Sequence, residues 1–111
     1  MPPPPIDLPT FDELKASAGA DFVTELVDTF LEEAPPMLAE LRSAQAAGAV
    51  ERFRRAAHSL KSNGNTFGAL PLGELARRLE LGGLVGDTAP LDALEAEYAR
   101  VAVALKALCR G

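Results

Sequence analysis

The chain has 111 residues, 48% of them hydrophobic, a formal net charge of -5, one His and one Cys. That length fits one domain with a core of its own. The acidic balance excludes a general nucleic-acid binder, which needs a broad excess of Lys and Arg to hold a phosphate backbone, and the lone Cys109 excludes an internal disulfide and argues against a metal cluster.

No sustained period-two run of β-branched residues occurs, so an all-α domain is expected. Met1-Pro2-Pro3-Pro4-Pro5 reads as an extended, polyproline-like lead with little core contact, and residues 1–9 are set apart from a helical domain over 10–111. The lead lacks the basic and apolar regions of a secretory signal. No apolar run approaches the eighteen or so residues that span a bilayer, so no membrane partner and a cytoplasmic location are expected.

Thr10-Phe11-Asp12-Glu13 has the form of a capping box opening a short helix that runs to Gly19. Asp21 is the expected N-cap of the next helix, in which Val23, Leu26, Val27, Phe30, Ala34, Met37, Leu38 and Leu41 keep helical spacing. Pro35 and Pro36 fall inside that run. Each removes a backbone donor, which predicts a kink or break near Glu32 to Pro36, and the unchanged apolar register on both sides favours a kink in one helix. Gly48 supplies the stop.

The third helix is expected from about Val50 to Thr66, with Ala49 a poor cap. Phe53, Ala56, Ala57, Leu60, Gly64 and Phe67 form its apolar stripe, and Gly64 in that stripe invites close approach of a neighbouring helix. From Pro71 a fourth helix turns Leu72, Leu75, Ala76 and Leu79 inward and ends at Gly82-Gly83. Gly86-Asp87-Thr88-Ala89-Pro90 reads as a turn. Leu91, Leu94, Tyr98, Val101, Leu105 and Leu108 then make the seam of a last helix. The architecture expected is an antiparallel four-helix bundle, up-down-up-down, with a short extra N-terminal helix.

His58 lies roughly 140° from the middle of the third helix's apolar stripe and should face solvent. Its neighbours three and four residues away are Arg54, Arg55, Lys61 and Ser62, with Asn65 one turn further. None is acidic. Several chemistries fail on inventory: a zinc, haem or di-iron site needs more convergent ligands, no glycine-rich phosphate loop is present, and no carboxylate on the helix turns beside His58 could orient the ring for a hydrolytic triad. What remains is phosphoryl acceptance by a neutral imidazole, a good nucleophile near pH 7. The nearby cations disfavour the imidazolium, and Lys61 is placed to attract the oxygens of an attached phosphoryl group.

His58-Ser59-Leu60-Lys61, followed by Phe67-Gly68-Ala69 and by Leu72, Leu75 and Leu79, resembles the signature of histidine-containing phosphotransfer domains. The resemblance implies that His58 is the phosphorylated residue, that Lys61 assists electrostatically, and that the partners are receiver domains of response regulators or of a hybrid sensor histidine kinase. It also implies a carrier and not an autonomous enzyme, with the aspartate and magnesium ion supplied by the receiver and no cofactor of its own. Arg54, Arg55, Ser62 and Asn65 are the expected partner-binding residues. Ser62 and Asn65 depart from the family pattern, where smaller residues are usual, and this points to altered partner preference. A monomer is expected. Two rival readings are a histidine module phosphorylated directly by a kinase's ATP-binding domain, and a helical interaction bundle that is never phosphorylated.

Overall fold

A computed structural model describes residues 3–84 and 86–110, the last of these by its backbone alone. Five helices follow one another: α1 Leu8–Ala18, α2 Ala20–Ala47, α3 Val50–Thr66, α4 Leu70–Gly82 and α5 Ala89–Arg110. Among the described residues there is no strand. Consecutive long helices pack against each other and α5 closes back on α2, so α2, α3, α4 and α5 form an antiparallel ring with α1 laid against α2. This is the expected four-helix bundle with its extra N-terminal helix. None of the helices is long and apolar enough to cross a membrane.

The core follows the predicted stripes. Val23, Val27, Phe30, Ala34, Leu38 and Leu41 of α2, Phe53, Ala56, Ala57 and Leu60 of α3, and Leu91, Leu94, Val101 and Leu105 of α5 are all buried. Three aromatic rings meet in the middle: Phe30 packs against Phe67 at 5.4 Å between centroids and edge-on against Tyr98 at 5.9 Å, spacings at which ring quadrupoles attract. Arg42 joins α2 to α5 by donating to Glu95 (2.8 and 2.7 Å) and Asp92 (2.6 Å).

Several boundaries differ from the sequence reading. α1 starts at Leu8 and is capped by Asp7, whose carboxylate accepts from the Thr10 N–H (3.3 Å) and hydroxyl (2.5 Å). Thr10 therefore serves as a donor inside the first turn, where a Pro at N1 or N2 lacks an N–H to satisfy. α2 begins at Ala20 after Gly19, which places Asp21 in the first turn, where its charge still favours the helix N-terminus. Ala89 and Pro90 already belong to α5. Of the proline lead, Met1 and Pro2 lie outside the described residues. The next residues are tied down: the Pro3 carbonyl accepts from Arg100 (2.8 Å), Ile6 is buried, and the Asp7 N–H donates to the Gly68 carbonyl (2.7 Å).

Gly68 has no substitute at that junction. Its φ is +82°, and a Cβ there would sit 2.8 Å from the Asp7 carbonyl oxygen, so a side chain meets both backbone strain and a clash. Gly64 shows the close approach its place in the stripe predicted, with Leu72 of the next helix and Ala69, the residue that caps it, packed over it.

α2 passes through Pro35 and Pro36 without a break. A proline at position i takes the N–H from the carbonyl at i-4, so Pro35 frees the Leu31 carbonyl and Pro36 frees that of Glu32. The Tyr98 hydroxyl donates to the Leu31 carbonyl in a long bond of 3.4 Å.

Candidate functional site

α3 turns its buried stripe to the core and puts His58 on its outer crest, with 57% of the side chain exposed. At about 100° per residue, Lys61, Arg54 and Asn65 fall to one side of that crest and Arg55, Ser59 and Ser62 to the other. The two sides meet different neighbours. The Lys61 side faces α4 and the Ser59 side faces α2.

On the α4 side the decisive residue is Glu80. Its carboxylate lies 2.6 Å from Nδ1 of His58 through one oxygen and accepts from Nζ of Lys61 at 2.6 Å through the other. This corrects the view of His58 as a ring surrounded by cations and small polar groups with no acid to orient it. The neighbours on its own helix are as expected; the acid comes from the next one. The Lys61 ammonium, and after it the His58 ring, hold the Glu80 carboxyl below the usual carboxylate range. Only 15% of the Glu80 side chain is exposed, against 57% for His58, so the clamp is sheltered while the ring stands out.

An ionised carboxylate can only accept, so Nδ1 must carry the proton in that contact. In the neutral ring the lone pair is then on Nε2, and no side chain among the described residues bonds to Nε2. A carboxylate that fixes tautomer and orientation is the role the acid plays behind the imidazole of a catalytic triad. Here no nucleophile is interposed, and the ring nitrogen itself is presented outward.

The other expected site residues divide between the two sides. Arg54 donates to Glu51 (2.7 Å) one turn before it and feels the charge of Glu80. Asn65 is exposed as a residue, yet its side chain lies flush over Gly73 of α4, where a Cβ would overlap it. Ser62 is exposed, and its carbonyl accepts from the Thr66 hydroxyl (3.0 Å). Arg55 and Ser59 line a groove of about 660 Å³ between α3 and α2, together with Arg52 and Ala56 and, from α2, Glu32, Glu33, Pro36, Met37 and Glu40. Arg52 and Glu40 bridge one end of it at 2.5 Å.

Helix-surface spacing reaches only the neighbours of His58 on α3, and Glu80 lies on α4. The signal was present across the α3–α4 hairpin: Asn65 and Gly73 are equidistant in sequence from Ala69, as are His58 and Glu80. Once the turn is placed at Ala69, antiparallel packing sets each pair side by side.

Comparison with known proteins places the chain in a family. No curated protein and no solved structure shows a significant match to the chain. The family model described as the Hpt domain matches residues 25–104, which contain α3, α4 and the whole His58, Lys61 and Glu80 constellation. The chain belongs to the Hpt domain family, the histidine phosphotransfer modules of two-component phosphorelays.

Proposed function

We propose that His58 accepts a phosphoryl group from the phosphorylated aspartate of a response-regulator receiver and passes it to another receiver, or returns it. The observation that carries this reading is the contact of Glu80 with Nδ1, which leaves Nε2 as the free nucleophile on the exposed crest. Transfer then runs as an in-line displacement. The Nε2 lone pair forms the N–P bond as the bond from phosphorus to the aspartyl oxygen breaks, and the carboxylate leaves with the electron pair. The ring keeps its Nδ1 proton and becomes positive, and the Glu80 carboxylate offsets that charge. Reversal restores the neutral ring and loads the next aspartate.

Lys61 sits one turn from His58, sheltered to 25% exposure and tied to Glu80, within reach of a phosphoryl group added to the ring. Phosphoryl transfer asks for position and charge stabilisation more than covalent machinery, and one rigid helix crest supplies the position. The receiver is the proposed source of magnesium, which neutralises phosphoryl oxygens when bound there. No group of three or more His, Cys, Asp or Glu placed to hold a metal occurs among the described residues of this chain. His58, Lys61 and Glu80 come from a single chain, which is consistent with action as a monomer.

The test is His58→Gln. The variant is expected to keep its helical circular dichroism and thermal midpoint while losing all acid-labile labelling by a phosphorylated receiver. Labelling that persists in the variant would place the acceptor elsewhere and remove this reading, and a wild-type protein that no receiver labels would favour an unphosphorylated interaction bundle.

A further inference from the structure

Gly73 is a buried residue inside α4, where glycine supports a helix less well than alanine. Its own backbone does not call for glycine: among the described residues the positive φ values fall on Gly19, Gly48, Gly68 and Gly83. The reason lies on α3. A Cβ at Gly73 would overlap Oδ1 of Asn65 and stand 2.8 Å from its Cγ and 3.2 Å from its Nδ2, and outside its own turn of helix these are the three atoms nearest to it. The missing side chain is a notch filled by the Asn65 carboxamide.

The seated side chain still has bonding capacity to offer. Asn65 is exposed, and no donor or acceptor among the described residues bonds to its amide. Lys61, on the turn before it, is taken by Glu80. Oδ1 lies deepest in the notch and Nδ2 shallower, so the group on offer is an N–H donor, whose complement is an oxygen acceptor. A side chain held against the next helix has fewer rotamers to lose when a partner binds it, which strengthens the contact. Asn65 stands about 10 Å along the axis from His58 and within about 20° of the same line. That is too far to touch a phosphoryl group on the ring, so Asn65 shares the closed side of α3 without sharing its chemistry. A stable interface covers about 800 Å² on each partner, a patch roughly 30 Å across. A domain centred on Nε2 therefore also covers Asn65.

We infer that Asn65, seated by Gly73, selects among receivers: its amide N–H donates to an oxygen acceptor on the preferred receiver, and a receiver without an acceptor at that point gains nothing from it. The inference rests on the receiver reading above. Gly73 is a positioning residue that acts only through Asn65. The contact is the same before and during transfer, so it acts on binding and leaves the chemical step alone.

The experiment measures initial transfer rates across receiver concentration for Asn65→Ala, Asn65→Asp, Gly73→Ala and the double variant carrying Asn65→Ala and Gly73→Ala. It uses the two phosphorylated receivers of a panel that label wild-type protein with the lowest and the highest KM. Each single variant is expected to raise KM for the low-KM receiver about two- to tenfold with kcat unchanged, the loss typical of one hydrogen bond. Asn65→Asp tests the donor, since it keeps the shape without an N–H. Gly73→Ala tests the seat, since its methyl group displaces the amide. The double variant should match Asn65→Ala, because no amide is left to displace. For the high-KM receiver Asn65→Ala should leave KM at the wild-type value, which narrows the preference. A wild-type KM for the low-KM receiver in any single variant overturns the inference and leaves phosphotransfer at His58 standing. So do losses that add in the double variant, which would assign Gly73 to the packing of α4, an equal rise for both receivers in Asn65→Ala, which would make the contact a general one, or a fall in kcat, which would place Asn65 in the His58 clamp. If no receiver labels the wild-type protein, the inference falls together with the receiver reading.

Discussion

The two flanks of α3 are built to opposite ends. Toward α4, His58, Lys61 and Glu80 are locked together by contacts of 2.6 Å, and the Asn65 side chain closes against Gly73. Toward α2 the walls stand apart around an open groove, with Arg55 and Ser59 on its edge. One flank immobilises the imidazole and selects its tautomer; the other leaves a surface free. The proposed transfer at His58 would need both, because a nucleophile must be held still while the partner that delivers the phosphoryl group comes and goes.

Substitution on the closed flank should affect chemistry, and the largest effect there is expected from Glu80→Ala. Loss of the orienting carboxylate should slow transfer roughly ten- to hundredfold, by analogy with removal of the carboxylate that orients a metal-bound imidazole. The ¹⁵N spectrum of His58 should shift from a dominant Nδ1–H tautomer toward a mixture. A variant with unchanged rate and tautomer would reduce Glu80 to a surface ion-pair partner of Lys61. Lys61→Ala leaves the Glu80 contact to Nδ1 in place and should cost less, roughly fivefold at most in transfer rate, with a shorter phosphohistidine lifetime. If both quantities match wild type, Lys61 contributes only to the resting clamp.

The smallest effect is on stability against pH. Glu80 is held below the ordinary carboxylate value of 4.5 in the folded chain, chiefly by Lys61 and then by His58. A depressed folded pKa contributes stability that is fully present above the unfolded value and is lost as pH falls through the folded one. Glu40, Glu51, Glu74 and Glu95 are lowered in the same direction by their arginine partners. The urea midpoint should therefore be level near neutrality and fall below about pH 4.5, and Glu80→Gln should narrow the gap between pH 7 and pH 3. An identical gap in the variant would show that the clamp adds nothing to folding.

Periodicity within one helix was enough to find the crest and its buried face. Phe53, Ala56, Ala57, Leu60, Gly64 and Phe67 are all buried and His58 is exposed, as a 3.6-residue repeat requires. The single long α2 through two prolines was also readable, because its apolar register does not slip at Pro35. Contacts between helices were much less legible. Nothing in the local sequence around Glu80 marks it, and only the hairpin geometry brings its carboxylate to a ring that lies about three turns from the Ala69 corner, as Glu80 itself does. Caps were misplaced for a related reason: Asp7 outcompetes the Thr10 box through its own carboxylate, and its N–H is spoken for by Gly68 across the molecule.

The arrangement of α3 and α4 also bears on how the chain reaches its native state. These two helices are consecutive, joined by the short Phe67–Ala69 corner, and share the most extensive packing in the bundle. Contacts between near neighbours in sequence close small loops and cost little chain entropy to form. His58, Lys61 and Glu80 thus belong to the hairpin best placed to assemble early, while α1 and the Ile6 strap close over it from the distant N-terminus. In native-state hydrogen exchange the buried amides of α3 and α4 should open only with the whole molecule, and those of α1 should open first.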